Sequence, residues 1–169
     1  LIKPTPEEAK IDPDAEYIIT VNWPDEHPDD IDTYVEDPQG NIVWYHIREA
    51  GLMHLDRDDR GNYKDTIVIG DTKINNPLNQ ETVTLRGTMP GEYVVNIYHY
   101  LSNFVEGVPV KVKVEKVNPK IKVIFYDTLE LEGKGNELTA ARFNLDKEGN
   151  VTSVYKKPKR LTVLTRNRK

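Results

Sequence analysis

"VPVKVKVEKV", residues 108–117, is the stretch whose period decides the fold. Valines at 108, 110, 112 and 114 alternate with Lys111, Lys113 and Glu115, and alternate side chains of an extended chain point to opposite faces, giving one apolar and one charged row. That division describes a strand with one face on a core. The same period recurs upstream. Tyr17, Ile19, Val21 and Trp23 fall on one face against Glu16, Thr20 and Asn22, and Ile31, Thr33 and Val35 oppose Asp30, Asp32 and Tyr34. "NIVWYHI" (41–47) is apolar on both faces and reads as one strand. "TIVIG" (66–70), "ETVTLRG" (81–87) and "GEYVVNIYHYL" (91–101) follow, the last setting Tyr93, Val95 and Ile97 opposite Tyr98 and Tyr100. Downstream, "IKVIFYDTLELEG" (121–133) is a long strand and "NELTAARFNLDKEGNVTSVYK" (136–156) a hairpin.

Between these runs the turn chemistry repeats: "DPQGN" at 37, "DDRGN" at 58 and "DKEGN" at 146 each supply a Gly-Asn pair, the residues that best tolerate positive φ. The flanking strands align at no fixed period, so these are not sequence repeats. "PEEAK" and "ELTAARF" are the only helix candidates, and both are short. The expected fold is therefore an all-β antiparallel sandwich, immunoglobulin-like or jelly-roll-like, with an appended C-terminal β-hairpin. Residues 1–14, with three prolines, read as an extended arm; 15–118 form the sandwich core, 119–155 the C-terminal strands and hairpin, and 156–169 a basic tail. One domain of this length buries roughly two thirds of its unfolded surface.

Composition removes several chemistries. There is no cysteine, hence no disulfide, thiolate zinc site or Cys nucleophile. The serines are Ser102 and Ser153, in no Gly-x-Ser-x-Gly elbow, and neither an H-x-H pair nor a glycine-rich phosphate loop occurs. Apolar runs are too short to span a bilayer. The first residue is Leu1, which leaves room for an upstream targeting or anchoring segment. Charge is polarised: residues 25–65 carry twelve acids and four bases, whereas 110–169 carry seven acids and fifteen bases. Such a dipole suits a solvated face and a docking face. The tail "KKPKRLTVLTRNRK" holds seven bases and no acid and reads as a solvated terminus, with nucleic acid or anionic lipid as its other reading.

Two acidic segments carry the candidate chemistry: Asp30-x-Asp32 with Asp37, and "GLMHLDRDDRGN", with His54, Asp56, Asp58 and Asp59. Oxygen clusters of this kind suit calcium, and the ligand set would be Asp30, Asp32, Asp56 and Asp58 at one end of a sandwich. "DRDDRGNYKDTI" fails the EF-hand pattern, with Arg60 and Ile67 at ligand positions. The alternative is that Asp37 and Asp58 or Asp59 cap their turns while the rest face water. A glycoside-cleaving carboxylate pair would need an acid raised by an apolar pocket, which turn aspartates do not offer. His46 and His99 are expected to be packed within strands. Tyr98 and Tyr100 share a face and form the expected binding surface unless the C-terminal hairpin buries them, with Trp23, Trp44 and Tyr45 as further stacking candidates.

The order Asp30-x-Asp32-x-x-Val35-x-Asp37-Pro38-x-Gly40, Gly51-Leu52 with Asp56 to Gly61, then Pro90-Gly91-Glu92-Tyr93-x-Val95-x-Ile97 resembles a bacterial and phage β-sandwich family of unassigned activity, YfaP-like, over residues 16–117. The sequence departs from its pattern at Thr33 and at Ala50-Gly51. The resemblance implies a sandwich and carries over Asp30, Asp32, Asp56 and Asp58 as ligand positions. It also implies a place in a virion or outside the cytoplasm, in the periplasm or at the cell surface. The expected function is a non-enzymatic structural, assembly or binding module, a phage virion accessory or bacterial envelope protein, with other protein subunits as partners in a multimer and no required cofactor. The alternatives are a calcium-assisted carbohydrate-binding module and a carboxylate-based hydrolase.

Overall fold

A computed structural model describes residues 13–24, 30–59, 66–69, 72–75, 79–101 and 107–168. The strands are β1 (Tyr17–Asn22), β2 (Asp30–Glu36), β3 (Ile42–Val43), β4 (Glu49–Ala50), β5 (Met53–Asp59), β6 (Thr66–Ile69), β7 (Thr72–Asn75), β8 (Asn79–Leu85), β9 (Gly91–Leu101), β10 (Val108–Lys116), β11 (Lys122–Leu131), β12 (Glu137–Leu145) and β13 (Val151–Tyr155), followed by one helical turn, α1 (Thr162–Thr165). Six strands form one sheet in the order β11-β10-β1-β8-β5-β4, five form a second in the order β13-β12-β9-β2-β3, and β6 pairs with β7 in a separate ribbon. All pairings are antiparallel. The protein is an all-β sandwich. The neighbours β1-β8-β5 and β9-β2 reproduce the B-E-D and F-C order of immunoglobulin sandwiches, with β12 in the place of strand G. β10 takes the flank of β1 that such domains give to strand A, and β11 lies outside it. The expected C-terminal hairpin is β12–β13, joined to the five-stranded sheet through β9. Residues 1–12 of the expected N-terminal arm, and the third Gly-Asn turn, lie outside the described residues.

The alternating rows become the core. Tyr17, Ile19 and Val21 of β1 meet Val108, Val110, Val112 and Val114 of β10 and, across the sandwich, Ile31 and Val35 of β2 and Tyr93, Val95 and Ile97 of β9. Phe143 stacks on Tyr93 with ring centroids 5.2 Å apart and on Tyr17 at 6.2 Å. Both tyrosines use their hydroxyls: Tyr17 donates to Gly149 O at 2.6 Å, and Tyr93 accepts the Met89 N–H at 3.0 Å, a link from the start of a strand back to the chain before it. Burial, then Asp146 and Glu16, push the Tyr17 hydroxyl up to about 12.

Two of the Gly-Asn turns are built alike. Asp37 Oδ1 accepts the Gln39 and Asn41 N–H groups, and Asp146 Oδ1 those of Glu148 and Asn150, each at 2.9 Å. The capping reading of Asp37 thus holds. Gly51, with φ +58°, sits where a Cβ would come within 2.5 Å of Asp37 Oδ2, so this turn and the β4–β5 turn fit together only through glycine. "NIVWYHI" departs from the single strand expected: Trp44 and Ile47 exchange both backbone hydrogen bonds at 2.9 Å, so Tyr45 and His46 form a two-residue turn. No glycine, proline or asparagine marks that reversal.

Candidate functional site

Strand alternation turns Asp32, Tyr34 and Glu36 of β2, Val94, Asn96 and Tyr98 of β9, and Glu137, Thr139 and Arg142 of β12 to the outer face of the five-stranded sheet. Water does not reach most of this face. Residues 156–168, the stretch expected to be a solvated tail, lie across it as a strap. Lys159 O accepts from Asn96 Nδ2 at 2.6 Å and Thr139 Oγ1 at 3.2 Å, and the Lys159 ammonium meets Glu36. Leu161 is buried with Tyr34, Ile42, Trp44 and Val94. Arg168 reaches back to Gly40 O at 2.9 Å.

Glu137 anchors the strap. Its side chain, 3 % exposed, accepts the Leu161 N–H at 2.7 Å, the Thr162 N–H at 3.3 Å, the Thr162 hydroxyl at 2.8 Å and Asn96 Nδ2 at 2.7 Å. Burial pushes the carboxyl up, but the Leu161 amide, Asn96 and Thr162 outweigh it and hold it below the ordinary glutamate range.

Past the strap the face opens into an aromatic cluster. Trp44 stacks on Tyr34 at 5.7 Å, and the Tyr45–His46 turn sets both rings edge-on to Trp44, at 5.1 and 4.9 Å. Tyr45 lies 6.2 Å from Tyr100, their planes tilted by 51°. Tyr98 is half-buried beneath them, edge-on to Tyr34. A β-bulge positions Tyr100: Ile31 pairs with His99 and Asp30 with Leu101, so Tyr100 is the extra residue and is 49 % exposed, whereas His99 is fully buried. Buried Asp32 stands close enough to raise the Tyr45 hydroxyl, after burial and Tyr100.

The structure thus brings Asp32, Tyr98 and Tyr100 together. It does not bring the two acidic segments together. Met53 and Leu55 of β5 point into the core, so His54 and Asp56 lie on the outer face of the six-stranded sheet, opposite to the face that carries Asp30 and Asp32. There His54 bridges Glu49 and Asp56, each at 3.0 Å. The side chain of Asp58 lies outside the described residues. Among the described residues, no group of three or more His, Asp or Glu side chains is placed to hold a metal ion.

His46, expected inside a strand, is instead exposed at the turn tip. Its only sequence signal is its place beside Trp44 and Tyr45 in a run apolar on both faces. Glu137 gave no signal at all, because its partners lie more than twenty residues away in sequence, Leu161 and Thr162 downstream and Asn96 upstream. No helix among the described residues is long and apolar enough to cross a membrane. The chain matches no protein-family model, no curated protein and no solved structure.

Proposed function

We propose that this chain is a non-enzymatic binding and assembly module that meets other protein subunits through the aromatic end of its five-stranded sheet, in a virion or in the bacterial envelope. The observation that carries the reading is the pair Tyr45 and Tyr100, raised by a turn and a bulge beside Asp32. Tyrosine clusters of this kind are enriched at the centres of protein interfaces. Their tilted rings form notches for partner side chains, and no flat platform for a sugar chain. The buried acids also support a role without catalysis: Asp37 caps a turn, Glu81 takes the Thr33 N–H at 2.8 Å, and Glu137 is held ionised, the reverse of a general acid. The proposed setting rests on the three-motif resemblance. A photo-crosslinking residue at position 45 or 100 should capture one discrete protein in cells of the source organism, whereas the same residue at exposed Leu52 should not. No product from either site would overturn the reading.

A further inference from the structure

The six-stranded sheet ends differently on its two sides. One edge is β4, two residues long; the other is β11, ten residues long and, among the described residues, paired as a strand with β10 alone. Natural sheets keep exposed edges short or cover them, because an open edge offers its unpaired N–H and C=O groups to any other strand. β11 also exposes apolar side chains: Ile121 just before it is 66 % exposed, Val123 50 % and Tyr126 58 %. A bulge at Ile124 interrupts the pairing near one end, but Phe125–Leu131 pair regularly with β10 over a full strand length, with the Thr128 N–H taken locally by the Asp127 side chain at 2.8 Å.

Charge indicates what would pair there. Lys120 and Lys122 stand exposed at the start of β11, and Glu130 and Glu132 stand exposed at its end. The acid between them, Asp127, is taken by Lys156. The edge therefore runs from positive through apolar to negative. A second β11 laid antiparallel places the lysine end of each copy against the glutamate end of the other; laid parallel, it opposes like charges at both ends. An edge complementary to itself under a two-fold rotation is the requirement for an isologous dimer. We propose that β11 is the contact through which two copies of this chain pair, edge to edge and antiparallel, joining their six-stranded sheets into one. This surface is separate from the aromatic end of the other sheet, so the two contacts can be tested apart.

The experiment is sedimentation velocity over a concentration series at low salt, on the native chain, Lys120→Glu/Lys122→Glu, Glu130→Lys/Glu132→Lys, and all four changes combined. All four side chains are exposed, and unchanged melting temperatures would confirm intact folding. The native chain should show a monomer–dimer equilibrium, each double variant should dissociate at least about ten-fold more readily, and added salt should weaken the native dimer. The equimolar mixture of the two double variants should dimerise again, as should the four-fold variant, because both restore opposite charges across the two-fold axis. A native chain that stays monomeric, or a dimer that ignores the reversals, overturns the proposal. Association lost on Tyr45→Ser/Tyr100→Ser yet indifferent to the β11 charges would leave the aromatic contact standing and remove this one.

Discussion

The outer face of the five-stranded sheet is sealed at one end and open at the other, and the same strands make both ends. On β9, Val94 and Asn96 are buried under the strap, while Tyr98 and Tyr100 lead out to the exposed aromatic cluster. Alternation decides which side chains leave the core, but it does not decide which of them meet water. That second decision belongs to a segment some sixty residues downstream, held largely through polar atoms: the Lys159 carbonyl on Asn96 and Thr139, and the Glu137 carboxylate on the strap's backbone. A sheet face can therefore be covered by a stretch with no hydrophobic period of its own.

The contrast breaks most severely at Glu137. Glu137→Ala removes four hydrogen bonds and leaves the Leu161 and Thr162 amides and the Asn96 amide without their acceptor, at an expected cost of about 2–4 kcal/mol. Urea unfolding gives the total, and hydrogen exchange should show the loss concentrated at Leu161 and Thr162. An unchanged midpoint would mean that the strap adds nothing to stability. Leu161→Ala tests the apolar half of the contact: its burial against Tyr34 and Trp44 is expected to contribute about 2 kcal/mol, and its loss should raise the exposure of Trp44, readable as a red shift in tryptophan emission.

Acid should loosen the sealed end by a milder, graded route. Because the folded-state value of Glu137 lies below its ordinary one, the stability it contributes is present above the unfolded value of about 4.3 and is lost as pH falls through the folded value. Exchange at the Leu161 and Thr162 amides, corrected for intrinsic rates, should therefore accelerate below about pH 4 ahead of the core strands. Parallel loss of protection in the strap and the core would contradict this. At the open end, Tyr45→Ser/Tyr100→Ser should change stability by no more than about 1 kcal/mol, since both side chains sit at the surface, outside the core, with about half of each in solvent. A large loss there would make the cluster structural and weaken its reading as a binding surface.

Much of this was legible in the residues. The alternating rows of β1, β2, β9 and β10 and the turns at Asp37 and Asp146 are local properties, and local chemistry fixes them: a period of two, and an aspartate followed by Gly-Asn. The face shared by Tyr98 and Tyr100 follows from the same parity. What was not legible depends on pairing between distant segments. "NIVWYHI" carries no turn residue, yet Trp44 and Ile47 bond across a Tyr-His reversal once β3 is tied to β2. The strap shows six bases and one buried leucine, Leu161, and only the presence of Glu137, Glu36 and Asn96 on the sheet distinguishes it from a solvated tail.

The acidic segments show the same limit from the other side. In sequence, Asp32 and Asp56 read as neighbours at one loop end, but β2 and β5 belong to different sheets and turn these residues to opposite outer faces. Sheets pack about 10 Å apart, and each aspartate projects away from the gap, so the pair should not share an ion or feel one another strongly. A double-mutant cycle on Asp32→Asn and Asp56→Asn, followed by thermal unfolding with millimolar calcium and again with EGTA, should give a coupling within about 0.3–0.5 kcal/mol of zero in both media. His54 offers an internal control: as the bridge between Asp56 and Glu49, it should couple to Asp56 and not to Asp32. A larger Asp32–Asp56 coupling, present with calcium and abolished by EGTA, would require the two faces to be linked through metal, and the division between sealed and open ends would then have to be redrawn around that ion.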